Sequence, residues 1–154
     1  MIQIKSILVP TDFSQYGEQA LRYACALAGK FGSHVHLLHV VDDYYPYLPE
    51  GGAFLDRRDD YLSGLKTGAE RELEKLPQAG WCPADVSRVV AVGTPFVEIV
   101  RYAKEHDIDL IVIGSHGRAG LAHVLMGSVA ERVVRKAPCP VLTVRPGQHE
   151  FVLP

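Results

Sequence analysis

Residues 114–128 read GSHGRAGLAHVLMGS, with four glycines (Gly114, Gly117, Gly120 and Gly127) in fifteen positions. The segment follows an apolar run and precedes an amphipathic one. Glycine costs chain entropy, so this density implies a need for bare backbone. A helix start carries unpaired N–H groups and about half a unit of positive charge. Glycines let such amides approach phosphate oxygens without a side chain intervening. Gly114, Gly117, Gly127 and the Ser128 hydroxyl therefore fit a polyphosphate cradle, with Arg118 near enough to add charge. Against this stands a local reading: glycines also serve tight turns, and Ser128-Val129-Ala130-Glu131 has the form of a capping box that would occupy the same hydroxyl. The residues alone leave both open. Neither G-x-x-x-x-G-K-[ST] nor a G-x-G-x-x-G after the first strand is present, which argues against a P-loop NTPase and a dinucleotide domain.

Other chemistry-bearing residues are fewer. Asp12 follows a strand end, where a carboxylate can accept a ligand hydrogen bond or hold Mg²⁺ through water; the alternative is a turn residue ahead of Ser14. His116 and His123 lie inside the glycine segment, able to contact phosphate or act as a base, or else to sit as exposed loop side chains. His34 and His36 share one face of a strand and His39 the other, with no Asp, Glu or Cys to complete a metal set. Tyr44, Tyr45 and Tyr47 read as a surface loop. Cys25, Cys82 and Cys139 are odd in number and widely spaced, so a disulfide framework or zinc site is not expected.

These residues are spaced by a regular alternation of elements. Strands are expected at 6–9, 34–41, 86–92, 110–113 and 141–144. The first helix carries Leu21, Ala24, Leu27, Ala28 and Phe31 at helical spacing, capped by Ser14 and stopped by Gly32. Leu62, Leu65, Ala69, Leu73 and Leu76 mark the second. Thr94-Pro95 starts the third, with Val97, Val100 and Ala103 inward, and 128–137 forms the fourth, ended by Pro138. Strands without polar alternation, alternating with helices, predict an α/β fold with a parallel sheet covered on both faces. In such open sheets ligands lie beyond the carboxyl ends of strands, where strand order reverses. That rule selects the loops after the first and fourth strands.

At this point a family resemblance is visible. GSHGRAGLAHVLMGSVAERVVRKAPCPVLTVRP resembles the C-terminal signature of the universal stress protein family, whose nucleotide-binding members carry G-x-x-G, nine residues, then G-[ST]: here Gly114, Gly117, Gly127 and Ser128. ILVPTDFS is similar to that family's first strand and loop, HVHLLHVVD to its second strand, and VGTPFVEIVRYAKEHDIDLIVIGSHG to its third helix and fourth strand. The resemblance implies a Rossmann-like five-stranded parallel sheet of order 3-2-1-4-5 that binds ATP at its carboxyl edge. It implies that Pro10, Thr11 and Asp12 line the adenosine end and that Val40 meets adenine through its backbone. Gly114, Gly117, Gly127 and Ser128 would hold the phosphates, with the Val129 amide helping. The strand 141–144 would then be an edge, short, apolar and without Lys or Pro, which invites pairing with its copy. The resemblance also implies a homodimer through this strand.

Composition sets the remaining limits. The chain has 154 residues, 47% of them apolar and 22% charged, with net charge −2, which fits one domain and argues for neither nucleic acid nor an acidic membrane as partner. MIQIKSILVP lacks a basic segment followed by a long apolar run, and no apolar stretch is long enough to span a bilayer; a reducing, cytoplasmic setting is expected. The leading functional reading is an ATP-binding stress-response protein that signals through loop order or dimer surface, with at most slow hydrolysis. The alternatives are an ATPase or adenylyl-transfer enzyme of similar architecture, and a dimeric scaffold that binds no nucleotide. A response-regulator receiver is rejected because Ala91-Val92-Gly93 ends the third strand where a phospho-accepting Asp would be needed. A flavodoxin is poor because the phosphate-like loop follows the fourth strand.

Overall fold

The computed structural model describes residues 1–44, 58–82, 85–116 and 126–145. Five strands, β1 (Ser6–Pro10), β2 (His34–Val41), β3 (Val86–Val92), β4 (Leu110–Gly114) and β5 (Val141–Val144), alternate with four helices, α1 (Gln15–Phe31), α2 (Arg58–Glu74), α3 (Pro95–Glu105) and α4 (Ser128–Lys136). All pairings are parallel, in the order β3-β2-β1-β4-β5.

Burial explains the strand composition. Ile7, Leu8, Val9, Ile111 and Val112 are fully buried because β1 and β4 lie inside the sheet, with neighbours on both sides and helices on both faces. Each such aliphatic side chain contributes about 1.5–3 kcal/mol by leaving water. Alternation along the strands divides the core into two layers. Ile7, Val9, Val35, Leu37 and Val112 pack with Leu21, Ala24 and Cys25 of α1 and Leu73 of α2. Leu8, Leu38, Ile111 and Ile113 pack with Ile99 and Ala103 of α3 and Ala130 and Val133 of α4. The chain thus leaves β1 for one face of the sheet and leaves β4 for the other, which opens a crevice between the carboxyl ends of two neighbouring strands.

Local signals govern the helix ends. The Ser14 side chain accepts from the Gly17 amide, and the Gly32 amide closes α1 on the Ala28 carbonyl. Thr94 caps α3 with Pro95 in its first turn, although the threonine hydroxyl makes no cap bond. Helix phase follows the sheet instead. In α3 the inward residues are Phe96, Ile99, Tyr102 and Ala103, while Val97 is exposed. The expectation of an inward Val97 therefore fails: the helix turns the 96/99/103 stripe toward β2 and β3. Phe31 and Leu65 are likewise exposed, and Leu76 is buried but lies beyond the end of α2.

The three histidines of the sheet's middle stretch divide as their alternation requires. His34 and His36 lie edge to face, with ring centroids 4.7 Å apart. His36 Nδ1 is hydrogen-bonded to the Tyr102 hydroxyl at 2.9 Å, and the Tyr102 ring stacks on His106. Burial, and then the neighbouring imidazoles of His34 and His106, hold His36 below its ordinary pKa. An imidazole with a lowered native pKa is bound neutral. Its contribution is complete above the unfolded value of about 6.5 and is lost as pH falls from there toward the native value. Thermal melts of the wild-type chain between pH 7.5 and pH 5 are expected to show falling Tm on acidification, with a flatter profile for His36→Gln. Parallel profiles would remove His36 from this role.

Candidate nucleotide site at the switch between β1 and β4

The floor of the crevice is the turn Pro10-Thr11-Asp12-Phe13-Ser14. Thr11 is buried and each of its polar groups has a partner within the fold: its amide donates to Leu38 O at 2.8 Å, its hydroxyl oxygen accepts from the Phe13 amide at 3.1 Å, and its carbonyl accepts from His39 Nδ1 at 2.8 Å. That last bond puts the His39 proton on Nδ1. Phe13 sits at φ 64°, a left-handed placement that costs an aromatic residue about 1–2 kcal/mol. The Thr11 hydroxyl and the His39 ring, 4.4 Å from the Phe13 ring, hold it there. Asp12 Oδ1 accepts from both the amide and the hydroxyl of Ser14, so the turn-building role weighed for Asp12 is realised. His39 and Phe13 were not singled out in sequence as builders of this turn; a histidine at an inward strand position was the available signal.

One wall comes from β2. The β1–β2 ladder ends at Pro10 opposite Leu38, with a last bond from the Thr11 amide. Backbone groups alternate sides along a strand. Val41 O turns toward β3, where it accepts from Gly93 N at 3.0 Å, so the N–H and C=O of Val40 face the β1 side. Among the described residues no β1 backbone pairs with them.

The opposite wall is β4 and the start of α4. Ser115 is buried, donates its amide to Val144 O at 2.8 Å and accepts from the Gly127 amide at 2.6 Å. This bond pins the helix start over the end of β4. The structure overturns the capping box: Gly127 is the cap residue, with no side-chain cap bond, and Ser128 is the first helical residue. Gly127, held by Ser115, takes the extended conformation (φ −67°, ψ 152°) that a cap needs and leaves Ser128 inside the first turn. The conflict between cap and phosphate for the Ser128 hydroxyl is thereby removed. The amides of Ser128, Val129 and Ala130 stand at the positive end of α4, where a helix has no acceptors of its own.

Gly114 has a separate reason to be glycine. A Cβ there would stand 2.8 Å from Tyr16 O and 3.0 Å from Tyr16 Cβ, because α1 crosses β4 at backbone contact. His116 is half-buried, hydrogen-bonded to the Ser115 hydroxyl at 3.0 Å, with its ring 5.6 Å from that of Tyr16. It is a packed side chain, not the fully exposed one weighed in sequence. Gly117, Arg118, Gly120 and His123 lie outside the described residues, as do Tyr45 and Tyr47; Tyr44 is exposed. Among the described residues no group of three or more His, Cys, Asp or Glu could hold a metal ion, and no helix is long and apolar enough to cross a membrane.

A doubly wound parallel sheet whose strand order reverses between β1 and β4 defines an α/β protein of the Rossmann-like class. The model of the universal stress protein family matches residues 3–145, and the chain belongs to that family. It is 32% identical to universal stress protein MJ0577 of Methanocaldococcus jannaschii, over 94% of this chain and 96% of that protein. With YxiE of Bacillus subtilis the identity is 34%, over 90% and 97%. Among solved structures, universal stress protein UspA from Lactobacillus plantarum superposes with a TM-score of 0.83 at 30% identity, covering 94% of this chain and all of that one. A universal stress protein from Archaeoglobus fulgidus, solved in complex with dAMP, aligns at 27% identity with a TM-score of 0.54, covering 93% and 98%.

Proposed function

We propose that this chain is an ATP-binding universal stress protein that uses the bound nucleotide as a signal, with at most slow hydrolysis. The observation that carries the reading is the presence, at one end of the sheet, of two backbone surfaces with no partner among the described residues: the amides opening α4 and the Val40 edge of β2. The first suits a phosphate chain and the second the hydrogen-bonding edge of a purine. Gly127, Ser128 and Val129 would hold the phosphates, with Gly117 and Arg118 added from the glycine motif and His116 alongside. Pro10, Thr11 and Asp12 would form the adenosine end. Thr11 would act mainly by shaping the turn, since its polar groups are used within the fold.

Bound Mg²⁺ would supply neutralisation of phosphate charge, and Asp12 would hold it through water, since Oδ1 already accepts from Ser14. No P-loop lysine is present in the sequence, and His116 is bonded to Ser115; both support binding over fast turnover. Calorimetric titration of the full chain with ATP is the test, with a Kd below about 1 mM expected. Heat indistinguishable from dilution at that concentration would sink the reading.

We infer also that two copies pair through Val141–Val144. β5 is an edge strand and Leu142 is exposed on it, and such edges recruit a second strand. The reading includes a cytoplasmic protein with neither nucleic acid nor membrane as partner, in keeping with the balanced charge. Sedimentation equilibrium at micromolar concentration should return twice the chain mass, and Thr143→Pro should return a single one. A wild-type monomer would remove the pairing.

A further inference from the structure

The fold brings together two cysteines that lie 57 positions apart in the sequence. Cys25, in the middle of α1, is wholly buried against Ile7, Val35 and Leu37. Cys82, in the connection from α2 to β3, packs half-buried against the same layer. Cys82 is thereby brought alongside Cys25, and, after burial itself, its thiol is among the groups that push the Cys25 pKa up. A second contact holds the same register. The Arg22 guanidinium lies 4.1 Å over the Trp81 ring, so neighbouring residues of the connection meet residues one turn apart on α1. The Trp81 amide bonds back to Gln78 O at 3.1 Å, which closes a turn within the connection. Both thiols are free.

We propose that Cys25 and Cys82 are a peroxide-sensitive thiol pair, oxidised to an intramolecular disulfide that ties the α2–β3 connection to α1. Partial exposure makes Cys82 the sulfur that meets the oxidant, while Cys25 waits within reach behind it. Burial, and then the adjoining Cys82 thiol, push the Cys25 pKa up, so Cys25 is the resolving group and not the first to react. In the first step Cys82 Sγ attacks one oxygen of hydrogen peroxide. The O–O bond breaks, water leaves and Cys82 becomes a sulfenic acid. In the second, Cys25 Sγ attacks Cys82 Sγ and the S–O bond breaks. The departing hydroxide takes the Cys25 proton and leaves as a second water. The two thiols together give two electrons to one peroxide. The inference stands on the packing of Cys82 against the layer that holds Cys25, with Arg22 over Trp81 close by on the same two elements, and does not depend on nucleotide binding.

The test exposes the reduced full chain to a small excess of hydrogen peroxide, quenches it, unfolds it and alkylates it with N-ethylmaleimide. Intact mass should fall from three alkylated cysteines to one, and peptide mapping should give a Cys25–Cys82 link that dithiothreitol removes. Cys139→Ser should keep the link and go from two alkylated cysteines to none. Cys82→Ser should leave Cys25 open to alkylation after the same treatment. The proposal is overturned if the wild-type chain keeps three alkylatable thiols, if Cys82 accumulates as sulfinic acid with Cys25 still alkylatable, or if the link joins Cys139 or a second chain. The wild-type peptide map decides the matter alone should Cys82→Ser fail to fold.

Discussion

Gly127→Val is expected to weaken ATP binding about 10- to 100-fold, equivalent to roughly 1.4–2.7 kcal/mol, while leaving the fold in place. The residue at this position caps α4 in an extended conformation that valine adopts readily. Valine is a poor cap, so a loss of about 0.5–1 kcal/mol in stability accompanies the change. The Gly127 amide can still donate to Ser115. What the substitution adds is a branched side chain at the mouth of the amides of Ser128, Val129 and Ala130, where phosphate oxygens must come close. Calorimetric titration with ATP reads the affinity, and circular-dichroism melts check the fold. A folded valine variant with wild-type affinity would sink the proposed phosphate site.

Gly114→Ala should behave in the opposite sense, with a loss of stability of about 2–3 kcal/mol and a Tm lower by roughly 4–12 °C. The added methyl would stand 2.8 Å from the Tyr16 carbonyl oxygen and 2.9 Å from its carbon. These are backbone atoms in the first turn of α1, so no side-chain rotation relieves the contact. Either α1 lifts off β4 or β4 bends, and both disturb the layer formed by Val9, Ala20 and Val112. Urea titration followed by circular dichroism measures the loss. An alanine variant as stable as wild type would show that α1 yields at no cost and that Gly114 is glycine for another reason. Together the two substitutions separate glycines that look alike in the motif: Gly114, set by helix-on-strand packing, and Gly127, proposed to admit a ligand.

The sequence by itself determined the order of the elements, the closure of α1 between Ser14 and Gly32, and the two loops at which a ligand site could form. These signals are short-range: apolar runs, caps and breakers act on residues a few positions away. The resemblance supplied the strand order, and β1 and β4 do stand side by side. Tertiary structure decided what depends on partners distant in the chain. Ser115 pins the Gly127 amide and makes Gly127, not Ser128, the cap. Tyr16 excludes any side chain at Gly114. His39 holds the Thr11 carbonyl and the Phe13 ring. The sheet turns Ile99 rather than Val97 inward, and it draws Cys82 to the core layer that holds Cys25. None of these contacts has a local signature, because each is made by the crossing of elements whose positions are set only when the sheet closes its two core layers.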